Sequence, residues 1–365
     1  MEKQLDVAKT IEQSKAANKE SVRALGKPTP KAQHQLSLFQ TFYGTGTDHE
    51  HLSNVIELWD AAPKYVSASK RDADPIHQLD YLEREFQWRG QAFKLLVIPA
   101  TLIRQDGSAY RRFPTAREEL VEAALRKISI LQTHGFVGED EKQTVLGAKF
   151  SLSMLRKELA RHGHDIHFDA LLESLMILSR CHVEISVNEP KRKAIRQSSI
   201  LSSLEGVSRS DWLACPESLW SARFHPMVSQ GLCAYTYRQF DYDTMMGYRT
   251  ALARWLHRHM ASDCRNAGIM HPVKISLSHA IANSGLLNHA RTRDRAKAMQ
   301  EAIMELKSAL RPPIVTHESN QIIEGRTVTD VHYVLYPSPA FIGTVKAANR
   351  RQSDARQNGY GSSMG

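Results

Sequence analysis

Along the chain the spacing of apolar residues changes character several times, and each change marks an element. Residues 93–103 (FKLLVIPATLI) form a β-prone run, closed by a turn at Asp106 and Gly107. Pro114 and Thr115 then open a helix. Thr115 with Glu118 fits the S/T-x-x-E capping box, which satisfies two orphan N–H groups at a helix start. Leu120, Ala124, Leu125, Ile128 and Leu131 follow at helical spacing and predict one buried face. A short strand near Val145 leads to a second helix over 151–162, with Leu152, Leu155 and Leu159 on one side and a stop at Gly163. A third helix follows almost at once, with Asp165 as its expected N-cap. Its apolar stripe is Phe168, Leu171, Leu172, Leu175, Met176 and Leu178. The period then falls from 3.6 to 2. Val183, Ile185 and Val187 alternate with polar neighbours, a basic loop follows, and another β-prone stretch begins near Ser198. Helix, helix, tight turn, helix and hairpin is the order of a winged helix, whose tight connection is a helix-turn-helix.

The order then recurs. A helix over 248–261 carries Leu252, Trp255, Leu256 and Met260, and a short helix from Ser276 through Ile281 ends near Gly285. After Asn288 a long helix carries Ala296, Met299, Ile303, Leu306 and Leu310, and Pro312 with Pro313 stops it. Ile314, Val315 and Thr316, a polar turn through Gly325, and the run 328–336 complete a second hairpin. The expected fold is therefore α+β and helix-rich, with two tandem winged-helix domains at 46–232 and 233–345. Residues 1–45 are polar, with two prolines in 24–33, and read as a flexible arm; residues 346–365 read as a disordered tail.

Composition narrows the partners. The 365 residues carry 48 Lys and Arg against 39 Asp and Glu, a formal charge of +9 that favours polyanions, nucleic acid first among them. Cys181, Cys215, Cys233 and Cys264 form no C-x-x-C pair or zinc spacing, so they read as thiols of a reducing compartment. No apolar run spans a bilayer and the N-terminus lacks a signal-peptide core, so a cytoplasmic protein is expected. No Gly-rich phosphate loop with its Lys is present, and neither a cofactor nor a metal is expected.

Three basic or apolar groups stand out. Gln35, Leu36, Ser37, Leu38 and Phe39 match the pentapeptide by which bacterial proteins dock onto the sliding clamp of the replicative polymerase. In such a peptide two apolar anchors, here Leu38 and Phe39, enter a preformed pocket; the bland alternative is an anchor onto the protein's own core. Arg291, Arg293, Arg295 and Lys297 lie at the start of the long C-terminal helix. There a recognition helix reads base edges, and arginine reads guanine bidentately. Lys191, Arg192, Lys193 and Arg196 would form the first wing along phosphates, or merely a solvated loop. His162, His164 and His167 straddle a helix stop, and Tyr235, Tyr237, Tyr242 and Tyr248 read as packing residues, so neither set suggests an enzyme. His257 and His259 face opposite sides of a helix and cannot share a metal.

The arm ending in HQLSLF, followed by two winged helices, resembles the TrfA-like plasmid replication initiators. The helix 251–261 (ALARWLHRHMA) is similar to the one that opens their second module, and 291–306 (RTRDRAKAMQEAIMEL) to their recognition helix. The resemblance implies binding to repeated origin sites (iterons) in double-stranded DNA, opening of an adjacent A+T-rich segment, and recruitment of the host helicase or initiator and the clamp. It also implies a monomer–dimer equilibrium, assigns the clamp role to Gln35–Phe39, and gives base reading to Arg291, Arg293, Arg295 and Lys297. It offers no counterpart for residues 48–89, which leaves the start of the first module open. Two other readings remain: a winged-helix transcriptional regulator, which has no use for a clamp peptide, and a rolling-circle nicking endonuclease acting through tyrosine.

Overall fold

Residues 51–67 and 75–89 form a seam that both halves of the molecule share. A computed structural model describes residues 51–67, 75–104, 106–130, 135–140, 143–187, 195–206, 219–233 and 237–361, all within the unit that runs from Gly44 to Gly365. The clamp-like pentapeptide, the 1–45 arm and Lys191, Arg192 and Lys193 lie outside the described residues. Strand β1 (Leu52–Ile56) pairs antiparallel with a strand far down the chain, with Leu52 opposite Asp241 and Ile56 opposite Tyr237. Helix α1 (Glu57–Ala61) follows and buries Trp59 completely. Strands β2 (Leu82–Trp88) and β3 (Gln91–Ile98) make a hairpin, and β4 (Ala100–Ile103) with β5 (Ala109–Arg112) a second one across the expected Asp106 turn.

The first module forms as its apolar spacing predicts. Helix α2 (Ala116–Ile130) buries Leu120, Ala124, Leu125 and Ile128. Half of the expected capping box forms: the Glu118 carboxylate accepts from the Thr115 N–H at 2.8 Å and from its hydroxyl at 2.7 Å. Strands β6 (Gly135–Asp140) and β7 (Gln143–Phe150) lead to α3 (Leu152–Arg161), capped by Ser151, whose side chain accepts from the Met154 N–H at 3.1 Å. Leu152, Leu155 and Leu159 are all fully buried. Helix α4 (Phe168–Arg180) starts later than expected. Asp165 is not its cap, because that carboxylate is turned back to Arg156 at 3.0 Å and His167 takes the cap position. Strands β8 (His182–Val187) and β9 (Ile195–Ser199) make the first hairpin and extend the β2–β3 pair to an antiparallel sheet of order β2-β3-β8-β9. Strands β10 (Leu201–Glu205) and β11 (Trp220–Phe224) join β7 and β6 in a second sheet, and α5 (Pro226–Cys233) closes the module.

The second module begins with β12 (Tyr237–Asp241), the partner of β1, and the short α6 (Tyr242–Met246). Helix α7 (Ala251–Asp263) is capped by Thr250. Strand β13 (Val273–Ser276), α8 (Leu277–Ser284) and α9 (Thr292–Ser308) follow, then β14 (Ile314–Glu324) and β15 (Thr327–Pro337). The sheet order β13-β15-β14, with α8 and α9 against it and α7 packed on α9, is a winged helix. The chain then continues as α10 (Pro339–Gly361), where composition alone suggested a disordered tail from Lys346. Phe341, Ile342, Val345 and Ala348 recur at helical spacing and are buried. Further on, Arg351 donates to the Gln239 side chain at 2.8 Å and Gln352 to the Tyr237 carbonyl at 2.9 Å, which holds the polar continuation against β12.

Buried charges join the modules. Glu119 of α2 is 4% exposed and receives the guanidinium of Arg254 at 2.9 Å and that of Arg258, both from α7. Burial pushes the Glu119 carboxyl up, yet the two arginines outweigh it and hold it below the usual range. Beside them Arg126 pairs with Asp60 at 2.7 Å, the Trp59 indole donates to Glu122 at 2.7 Å, and the Tyr65 hydroxyl donates to the same carboxylate. Lys64 donates to the Trp59 carbonyl at 2.8 Å and lies 4.4 Å from the centre of its ring. Removing one member of a buried pair leaves an uncompensated charge, so Glu119→Gln is expected to destabilise the fold by about 3–5 kcal/mol. A shift in the urea midpoint at unchanged slope measures it, and an unshifted midpoint would contradict it.

Two histidines in this core respond to pH. His225 stacks on Trp59 at 4.3 Å between ring centres, and His257 packs among Phe240, Tyr248 and Phe341. Burial pulls both from the ordinary 6.5 down to about 3. Between those values the unfolded chain takes up protons that the folded chain refuses, so stability is full above about 6.5 and declines as pH falls toward about 3. Melting temperatures across that window should drop, and His257→Phe should flatten the decline; an unaltered profile in that variant would rule His257 out as a contributor.

Candidate nucleic-acid interface

The helix-turn-helix of the second module is set up by local chemistry. Ser276 caps α8 by accepting the His279 N–H at 3.0 Å. Gly285 ends that helix with φ +67°, a left-handed conformation that a side chain would oppose. Leu287 buries itself in the turn, and α9 starts after Arg291, whose carbonyl accepts from Asp294 and Arg295 at 3.1 and 3.2 Å. Met299, Ala302, Ile303 and Leu306, each at 0% exposure, fix the inner face of α9. The opposite face is thereby turned outward.

The predicted reading residues divide along this geometry. Arg291, Arg293 and Lys297 are exposed at the start of α9, and Lys297 has Glu301 one turn on at 3.9 Å. Arg295 is half-buried, and its Nε donates to the His289 carbonyl at 2.5 Å, so it is committed to the turn. Asp294 is exposed among them, where a carboxylate complements the partial positive charge of a helix N-terminus. The β14–β15 hairpin adds Arg326, exposed beside Gly325 at the tip of the second wing. In the sequence that tip is marked only as a polar turn; the Gly325–Arg326 pair between two β-prone runs is its signal.

The first module is built differently. Its third helix, α4, carries Asp169 in the first turn, and Glu173 one turn later pairs with Arg117 at 2.7 Å and accepts from the Tyr110 hydroxyl at 3.0 Å. The only arginine of α4 is Arg180 at its far end, donating to the Thr101 carbonyl at 3.3 Å. An acidic helix start repels phosphate. Of the expected first wing, Arg196 is described and lies exposed on β9, opposite Ile185.

The histidines and tyrosines are packing groups. His162 sits edge-on to Tyr242 at 5.3 Å, and the ring of His164 bonds the Met246 carbonyl at 2.7 Å, so both link α3 to α6. Tyr237, Tyr242 and Tyr248 are at most 4% exposed, and burial pushes the Tyr242 hydroxyl well above its usual range. Tyr235 lies outside the described residues. As expected, His257 and His259 take opposite sides of α7: His257 faces Tyr248, whereas His259 stacks on Trp255 at 5.0 Å and lies 5.3 Å from His279. Among the described residues no group of three His, Cys, Asp or Glu is placed to hold a metal ion. Nor, among them, is any helix long and apolar enough to cross a membrane.

No family model matches the sequence, and no curated protein does. Among solved structures the chain is similar to domains 2 and 3 of RctB, at 12% identity and a TM-score of 0.49 over 78% of this chain and 98% of that one. A second structure of the same RctB domains gives 12% and 0.46 over 79% and 99%. The Pi initiator protein in complex with iteron DNA is similar at 10% identity and 0.38, over 61% of this chain and 94% of that one. At such identities the likeness concerns the course of the backbone and not the residues it carries.

Proposed function

We propose that this chain is a plasmid replication initiator, gripping repeated origin sites in duplex DNA with its second winged helix. The observation that carries this reading is the outward row Arg291, Arg293 and Lys297 at the start of α9, the second helix of a helix-turn-helix. Those turns are the part of a recognition helix that enters the major groove, where arginine can take guanine O6 and N7 together. Arg326 on the wing is positioned by the same module for the adjoining backbone, a contact that adds salt-sensitive affinity and no sequence information. The acidic start of α4 leaves the first module a supporting role on DNA, through its own hairpin and the basic residues around Arg196.

The role is of the kind for which the Pi protein, seen with iteron DNA, is named an initiator. Origin opening, recruitment of the host helicase or initiator, and a monomer–dimer equilibrium belong to the same proposal, as does a cytoplasmic setting. It contains no chemical step of the protein's own. Gln35, Leu36, Ser37, Leu38 and Phe39 supply the link to the sliding clamp, with Leu38 and Phe39 as apolar anchors.

Two experiments test these parts separately. Arg293→Ala is expected to weaken binding to the cognate site by about 1–3 kcal/mol, and binding to random duplex by less. Equal loss on both DNAs in a titration would reassign Arg293 to phosphate. Leu38→Ala together with Phe39→Ala should abolish retention on immobilised clamp while leaving duplex binding unchanged. Undiminished retention would remove the feature that separates an initiator from a transcriptional regulator.

A further inference from the structure

The turn that launches α9 does not rest on its own module alone. It is seated on residues 63–67 of the seam and on β2. Arg84 of β2 donates through one Nη to the carbonyls of Pro63 and Tyr65, at 2.5 and 3.0 Å. Its other Nη donates to the carbonyl of Gly285, the residue that ends α8, at 3.1 Å. Asn288, three residues further into the turn, donates to the Ser67 carbonyl at 3.4 Å. Two residues before Gly285, the Asn283 side chain accepts the backbone N–H of Gln87 at 2.8 Å on β2. Among the described residues Arg84 has no carboxylate partner, and half-buried as it is, its guanidinium is served by main-chain oxygens alone. The fit is close: a Cβ built at Gly285 would fall 2.0 Å from an Arg84 Nη.

We propose that Arg84 is a positioning residue for DNA reading: it pins the helix-turn-helix of the second module to the first and thereby sets the pose of α9. A charged donor shared between a seam and the carbonyl end of a helix is stronger than a neutral bond. It also acts at the terminus where a helix carries partial negative charge. Without it α9 keeps its core anchors Met299 and Ile303, but the turn before it loses its charged tether and, among the described residues, is held to the seam only by the long Asn288–Ser67 bond. Arg291 and Arg293, which project from that turn's end, then lose a fixed register on base edges. Phosphate contacts tolerate such a loss far better, because a point charge needs no orientation.

This inference rests on the initiator reading only for its DNA consequence, and its test has one arm without DNA. In the free full-length protein, Arg84→Met is expected to raise amide hydrogen exchange across 285–291 while amides of 299–306 stay protected. With DNA, the same variant should lose about tenfold or more in affinity for the cognate site, the scale of one charge-assisted hydrogen bond. Its affinity for random duplex and its salt dependence should not change. Asn288→Ala, an exposed substitution that threatens the fold little, should give the same exchange pattern in weaker form and keeps the test open if Arg84→Met does not fold. Unchanged exchange at 285–291 in a folded variant overturns the proposal, and so does an equal loss on cognate and random DNA. If the unaltered protein prefers no duplex sequence, the initiator reading fails instead, and the exchange arm alone decides the role of Arg84.

Discussion

A carboxylate removed from water between two helices must be answered by positive charge, and Glu119 is answered twice. Its partners Arg254 and Arg258 come from the first long helix of the other module, so the demand for charge balance is met only when both modules are in contact. Around that centre Asp60, Glu122 and Arg126 repeat the logic with residues of the seam. Such a cluster adds less stability than apolar packing of equal volume, because desolvation offsets much of the attraction. It is, however, intolerant of displacement. Sliding one module by a few ångströms would separate charges in a medium that screens them weakly. The two winged helices are thereby tied at one junction, and α9, which packs on α7 and accepts the Arg249 N–H at the head of α7 through Glu305, takes its placement from that junction.

How much of this was legible in the sequence follows from where each element finds its partners. Helices α2, α3, α4, α7, α8 and α9 bury a stripe set by local spacing, and their apolar residues locate them to within a few positions, although Leu310, expected on the α9 stripe, lies past the helix end at Ser308 and is 97% exposed. The second hairpin was legible for the same reason, with Gly325 at its turn. The seam was not. Strand β1 (LSNVI) and helix α1 (ELWDA) are too short to show a period, and their partners lie across the whole chain. The continuation of α10 past Lys346 is hidden in the sequence because Arg, Gln, Asn and Ser dominate it there, while its buried apolar residues Phe341, Ile342 and Val345 lie before that point and only Ala348 beyond it among the described residues. Asp165 shows the limit of cap reading: Arg156, nine positions earlier, was a stronger partner for its carboxylate than a helix N-terminus.

The candidate site was legible as a set and not as individuals. Arg291, Arg293, Arg295 and Lys297 form one basic run in sequence, yet the turn takes Arg295 for itself through the His289 carbonyl. Two modules with the same element order also differ in the charge at the head of the third helix, acidic in α4 and basic in α9. That contrast is a sequence fact whose meaning appears only once the topology equates the two helices. Arg84 carried no local signal, since a lone arginine in a strand looks like any solvated residue until the carbonyls around it are placed.

The pairing of β1 with β12 also bears on how the molecule comes into being. Ribosomes deliver a chain from its N-terminus, and the edge that Leu52–Ile56 must join is made of Tyr237–Asp241. Helices α2, α3 and α4 pack on one another locally and can collapse early, but the β1 edge stays open until the second half emerges. Contacts of such long sequence separation are slow to form because their loop must close first. Until then Val55 and Ile56, whose strand partners are Arg238 and Tyr237, lack their final cover, and the nascent first half carries an unpaired apolar edge.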